Sequence, residues 1–242
     1  MTEGLYLRDA YLRNFSATVV RSSPGEIGLS ATAFYPTGGG QPCDTGTLSG
    51  PDGRVVRVVD VTKSPTGILH RIEGDPFPVG TPVEGRVDWD RRYTHMRYHT
   101  GLHILSGVVY HRFRAAITGG QIYEDRARMD LSLPELNAAL AEEVVADMRR
   151  VVAEDRPIHV RFLSRDEAQR DPSLVRVAAQ LMPDVSEVRL IDIEGFDVQA
   201  DGGTHVRSTG EVGDIRLQRI ENKGARNKRL YLELGPPPRR EL

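Results

Sequence analysis

Hydrophobic and polar positions along this chain fall into two regimes. Up to Trp89, short runs rich in Val, Ile, Thr and Phe recur between turn residues: Leu5–Tyr11, Phe15–Arg21, Ile27–Phe34, Arg54–Val61, Ile68–Ile72 and Val83–Trp89. Pro24-Gly25, Pro51-Asp52-Gly53, Pro65-Thr66-Gly67, Pro76 and Pro78 punctuate them. Evenly spaced short strands separated by turn signals predict a small barrel or sandwich. Near Asp88-Trp89-Asp90 the period lengthens. Leu102, Leu105, Val108 and Val109 form an apolar stripe, which predicts a helix from roughly Arg91 to Arg114, with Gly119-Gly120 ending the run.

Further on, Gln121–Leu131 reads as a strand, and Ser132-Leu133-Pro134-Glu135 as a capping box with a helix-starting proline. The helix it opens carries Leu136, Leu140, Val144, Met148 and Val151/Val152 on one face. Pro157–Leu163 alternates Ile158, Val160 and Phe162 against His159 and Arg161, which places His159 on the solvated face of a strand. Ser164-Arg165-Asp166-Glu167 is a second capping box opening a short helix, and strands follow at Glu187–Ile193, Asp214–Glu221 and Arg229–Leu234. The tail Pro236-Pro237-Pro238-Arg239-Arg240 is expected to fray. Helices against an antiparallel-looking sheet predict an α+β fold, with a β domain over residues 1–89 and a mixed domain over 90–242.

Composition narrows the class. The chain has 242 residues, 39% hydrophobic and 27% charged, as in a globular protein. No stretch approaches the ~20 apolar residues of a membrane helix. Met1–Tyr11 lacks the apolar core of a signal peptide. Cys43 is the only cysteine, which excludes an intrachain disulfide and a cysteine-rich zinc module. These features predict a cytoplasmic protein that does not engage membranes. The formal net charge of −2 supplies no global field for a polyanion, so nucleic-acid binding would need a local basic patch.

Candidate chemistry concentrates in two stretches. His99-Thr100-Gly101-Leu102-His103 puts two imidazoles one helical turn apart on one face. Asp201-Gly202-Gly203-Thr204-His205 sets two glycines just before a histidine, where the backbone is expected to turn sharply and approach something closely. A histidine pair at this spacing is often accidental. The loop histidine gives it weight, because catalytic zinc sites commonly use three protein ligands and one open position. His95, four residues before His99, extends the stripe and reads as packing or as support behind the ligands. A further oddity is Tyr35-Pro36-Thr37-Gly38-Gly39-Gly40-Gln41-Pro42-Cys43-Asp44-Thr45-Gly46. Composition alone reads it as a flexible connector; the functional alternative is a loop lying close to a ligand or to the other domain.

Four blocks, in order, resemble the free-standing alanyl-tRNA editing proteins of the AlaX type and the editing domain of alanyl-tRNA synthetase. They are Phe34 to Pro42 with Asp44-Thr45-Gly46, His99 to His103, Asp201 to Val206, and Lys223-Gly224 to Lys228-Arg229. The resemblance covers nearly the whole chain. It implies an N-terminal small β-barrel, then an α/β two-layer editing domain with a mostly antiparallel sheet. It also implies a zinc-dependent hydrolase that releases serine, and sometimes glycine, from mischarged tRNA(Ala), with no obligate protein partner. His99, His103 and His205 would be ligands. The family's usual fourth ligand is a cysteine where this chain has Asp201, which would either bind the metal through oxygen or stand back and orient a histidine. Leu102 replaces a threonine common in the synthetase domain, so a serine-recognising hydroxyl would come from Thr37 or Thr100. Gly38, Gly39, Gly40 and Gln41 would face substrate, and Lys223, Arg226, Lys228 and Arg229, with Arg91, Arg92 and Arg97, would meet phosphates. A solvated hairpin turn is the plain alternative for the lysine and arginine run. The rival functions are a catalytically inactive tRNA-binding module and a metal-dependent hydrolase of small molecules.

Overall fold

The structure is a computed structural model that describes residues 2–164, 166–167 and 187–238. The chain divides into two compact units, Met1–Tyr93 and Thr94–Leu242. The fold is α+β, and every strand pairing among the described residues is antiparallel except one short parallel pair near the N-terminus.

In the first unit, β1 (Glu3–Gly4) pairs in parallel with β4 (Ala31–Thr32). A closed barrel is built from β2 (Asn14–Ser23), β3 (Glu26–Leu29), β5 (Gly46–Ser49), β6 (Val55–Ser64), β7 (Gly67–Glu73) and β8 (Pro82–Val87). Their order around it is β2-β3-β7-β6-β5-β8. Alternation along β8 sends Val83, Gly85 and Val87 inward, and Phe15, Ile27, Leu48, Val58 and Phe77 fill the core with them. Gly85 is required by space: a Cβ there would sit 2.2 Å from the Phe15 ring. The expected strand at Leu5–Tyr11 is instead a 3-10 turn at Leu5–Leu7, because Tyr6 folds back edge-on against Tyr35, 5.3 Å between ring centres.

The first unit also contains a buried ion pair. Asp44 and Arg92 are both fully buried; Arg92 Nε donates to Asp44 Oδ1 at 3.0 Å, and Arg92 Nη1 donates to the Ala10 carbonyl at 2.7 Å. His70 is enclosed nearby, with Nε2 2.9 Å from Thr32 Oγ1 and Nδ1 3.3 Å from the Ile27 carbonyl oxygen.

Helix α1 (Trp89–Phe113) starts at the end of the first unit and continues into the second. The expected one-sided stripe is a correction: every residue from His95 to Val109 is buried, as in a helix enclosed on all sides. It ends at Phe113, and Arg114 takes the left-handed conformation (φ 54°) that glycine often supplies. Gly119-Gly120 therefore does not end the helix; both lie within β9 (Ile117–Ile122), which turns into β10 (Ala127–Leu131).

The remaining elements are α2 (Ala138–Ala153), β11 (Ile158–Ser164), β12 (Glu187–Ile193), β13 (Asp197–Ala200), β14 (Ile215–Asn222) and β15 (Lys228–Leu234). They form one sheet ordered β14-β15-β10-β9 and another ordered β11-β12-β13. Helix α2 packs on β14, and Ala141, Val144, Val145, Met148 and Val151 are its buried residues. It starts later than expected: Asn137 caps it by accepting the Leu140 N–H at 2.9 Å, and Ser132 does not. The second capping box forms as expected, with Ser164 N–H donating to Glu167 Oε2 at 2.9 Å and Glu167 N–H to Ser164 Oγ at 3.3 Å. The rest of the expected short helix, like Arg239 and Arg240, falls outside the described residues. His159 is solvent-facing and pairs with Glu194, but Val160 is exposed too, because β11 is an edge strand.

Candidate metal centre

Helix α1 presents His99 and His103 from successive turns, with ring centres 5.2 Å apart. The loop after β13 brings His205 against both, at 4.4 and 4.5 Å. Asp201 joins them: one donor atom from each of the four residues lies within 4.8 Å of every other. His205 Nε2 is 3.2 Å from Asp201 Oδ2, and His99 Nε2 is 3.6 Å from Asp201 Oδ1. Metal bonds of about 2.0–2.2 Å place neighbouring tetrahedral ligands roughly 3.3–3.6 Å apart, close to these two carboxylate–imidazole distances. His95 is buried on the same helix and is not part of the cluster.

The electrostatics suit ligation. Burial holds all three imidazoles below their usual range, His103 down to about 3. Burial pushes the Asp201 carboxyl up, but the imidazoles facing it prevail and hold it well below the ordinary carboxylate value. Three neutral nitrogens and one anionic oxygen are the protonation states a metal requires. His103 Nδ1 is buried with no hydrogen-bond partner among the described residues, an unsettled state for a polar atom in a metal-free site.

The loop is held by Arg189 and Gln199, which belong to none of the four motif blocks. Arg189 on β12 donates from Nη1 to the Asp201 carbonyl at 2.8 Å, while its own carbonyl accepts the Asp201 N–H at 3.1 Å. Gln199 on β13 donates from Nε2 to the His103 carbonyl at 3.3 Å. A buried arginine inside the apolar run Val188-Arg189-Leu190-Ile191 was the available signal. Gly203 matters for space and not for backbone freedom. Neither Gly202 nor Gly203 has a positive φ, yet a Cβ on Gly203 would lie 2.1 Å from His99 Cε1.

Other candidate residues are placed elsewhere. Thr100 is fully buried, its Oγ1 3.2 Å from His205 Nδ1. The glycine-rich segment is a tied turn and not a loose connector. Gly38 and Gln41 exchange backbone hydrogen bonds, Thr37 Oγ1 accepts the Cys43 N–H at 3.1 Å, and Tyr35 Oη donates to the Gly38 carbonyl at 2.9 Å. Gly39 and Gly40 have φ of 56° and 79°, the left-handed region that favours glycine. In the β14–β15 hairpin, Lys228 Nζ donates to Asn222 Oδ1 at 3.0 Å, Arg229 Nε to Asp130 Oδ1 at 2.6 Å, and Lys223 Nζ lies 2.7 Å from Glu221 Oε2. Arg226 at its tip is exposed. Arg92 and Arg97 are buried and bonded to carbonyls, which corrects the expectation that they meet phosphates.

Parts of the chain match models of known protein families. Residues 188–231 match the threonyl and alanyl tRNA synthetase second additional domain, and residues 8–91 match the class II (A) tRNA synthetases. Both stretches are thus related to domains of class II tRNA synthetases. An alanyl-tRNA editing protein AlaX-M from Saccharolobus solfataricus is 39% identical over 98% of this chain and 100% of its own length. Its counterpart from Methanosarcina mazei is 40% identical over 97% of each. The alanine–tRNA ligase of Pyrococcus furiosus is 37% identical over 99% of this chain but only 26% of its own length. The chain belongs to the AlaX family of alanyl-tRNA editing proteins.

Proposed function

We propose that this protein is a trans-editing aminoacyl-tRNA deacylase that hydrolyses the ester of mischarged seryl-tRNA(Ala), with glycyl-tRNA(Ala) as a second substrate. It would act in the cytoplasm, with residues 1–89 as the barrel module and 90–242 as the editing module. The observation that carries the reading is the buried cluster of three imidazoles and a carboxylate in a chain whose whole length matches proteins named for alanyl-tRNA editing.

His99, His103, His205 and Asp201 would hold a zinc-like divalent cation. When bound, such an ion polarises an ester carbonyl and lowers the pKa of water toward ~7. The chain's own residues do the rest. Burial of the imidazoles keeps them neutral, so that their lone pairs are available. The ionised Asp201 carboxylate would either ligate through an oxygen or stand back and orient a histidine. The site has no counterpart of the glutamate in H-E-x-x-H proteases, which argues against peptide-bond cleavage. Selectivity must spare alanine: a buried group bonded to the serine hydroxyl would be left unpaired by alanine, which discriminates by roughly 10⁴–10⁵. The segment Thr37 to Gln41 in the first unit, and Lys223 and Arg226 in the second, would each contact the RNA.

The test is a deacylation assay on seryl-, glycyl- and alanyl-tRNA(Ala). Serine release is expected to stop with chelator and return with zinc, while alanyl-tRNA(Ala) survives. The His103→Ala protein should be inactive with an unchanged circular dichroism spectrum. Metal-loaded protein that binds tRNA but leaves the seryl ester intact would establish the binding-module alternative.

A further inference from the structure

Thr100 lies between the two histidines that α1 supplies and has no exposed surface. Its Oγ1 accepts the Val206 N–H at 3.3 Å and is 3.2 Å from His205 Nδ1. The opposite ring nitrogen, His205 Nε2, is the one that faces Asp201 Oδ2 across 3.2 Å. The loop histidine is therefore held on its outer side by the helix that carries the other two. A hydroxyl has two lone pairs and one proton. Val206 occupies one lone pair, and the second can accept Nδ1–H, which leaves the Nε2 lone pair free for the cluster. We propose that Thr100 is a positioning residue that orients His205 toward the cation, and that it does not touch substrate.

This rests on the reading of the cluster as a metal site. Histidine ligands generally donate their outer N–H to a fixed acceptor, and loss of that acceptor costs about 10–100-fold in metal affinity. Thr100→Val keeps the shape but removes the oxygen, leaving Val206 N–H and His205 Nδ1–H unpaired. Zinc and cobalt affinities, measured by competition with a chromophoric chelator, should fall about 10–100-fold in this variant. Thr100→Ser should restore them, and KM for seryl-tRNA(Ala) at saturating metal should not move. Long-range proton–nitrogen NMR correlations of the metal-loaded parent should show His205 protonated at Nδ1, a readout that stands even if Thr100→Val misfolds. Parent-like affinity in Thr100→Val, or a proton on Nε2 in the loaded parent, overturns the proposal. A raised KM with metal affinity intact overturns it in favour of substrate contact. A parent chain that binds neither metal overturns the metal reading itself and this inference with it.

Discussion

Gly203 gives the sharpest test of the cluster, because a single methyl group would enter it. In Gly203→Ala the new Cβ would lie 2.1 Å from His99 Cε1, 2.3 Å from His99 Nδ1 and 2.9 Å from Asp201 Oδ2. Ordinary carbon contacts begin near 3.5 Å, so the His99 ring must yield by more than ~1 Å. Metal–ligand distances tolerate only about ±0.2 Å. The substitution therefore removes one ligand and crowds a second, and metal affinity should fall at least ~100-fold, beyond the loss of an outer acceptor. The backbone itself should not resist, because Gly203 has no positive φ and lies outside the strands. Gly202→Ala is the internal control: a Cβ there meets nothing within 4 Å among the described residues, so its affinity should match the parent. Isothermal titration with zinc, alongside circular dichroism, reads both variants. Parent-like affinity in Gly203→Ala would refute the assignment of His99 to the cation.

Asp201→Cys should keep or tighten zinc, because a thiolate can take the carboxylate's place; a variant that no longer retains zinc in a chelator competition would show that position 201 is not a ligand position. Arg92→Ala leaves the fully buried Asp44 carboxylate without its cation and should cost about 3–5 kcal/mol in urea unfolding. A loss below ~1 kcal/mol would mean the pair is not buried as described. His70 is held by burial at about 4, below its ordinary 6.5, so it is neutral in the fold and charges on unfolding. Its contribution is complete above pH 6.5 and declines by up to ~1.4 kcal/mol per pH unit as pH falls toward 4. Urea midpoints at pH 7 and 5 should diverge less in His70→Gln than in the parent; equal divergence would remove His70 from the acid response.

What was legible in the sequence was what local pattern encodes. Apart from Leu5–Tyr11, the turn-punctuated runs before Trp89 supply barrel strands, and the His99/His103 spacing gives a shared helix face. The failures have tertiary causes. β5 has no strand signal because Gly46 reads as a loop residue, whereas a Cβ there would strike the Arg86 carbonyl oxygen at 2.1 Å, so the neighbouring strand requires a glycine. Gly119-Gly120 looked like a helix stop, but Arg114 terminates α1 and the glycines sit in β9. Ser132 and Glu135 had capping spacing, yet Leu133 and Leu136 are buried there and Asn137 caps the helix. The reason for Gly203 was invisible for the same kind of cause, since it depends on a ring about a hundred residues away in sequence.

The donors gathered around Asp201 contain no sulfur, and the chain's single cysteine belongs to the barrel unit. Peroxide attacks thiolates first, carrying them toward sulfenic and sulfinic acids that no longer bind metal. Imidazole and carboxylate groups offer no such foothold. If the proposed centre forms, a carboxylate where the family resemblance implies a thiolate would give up a soft ligand for donor atoms that do not respond to the redox state of their surroundings.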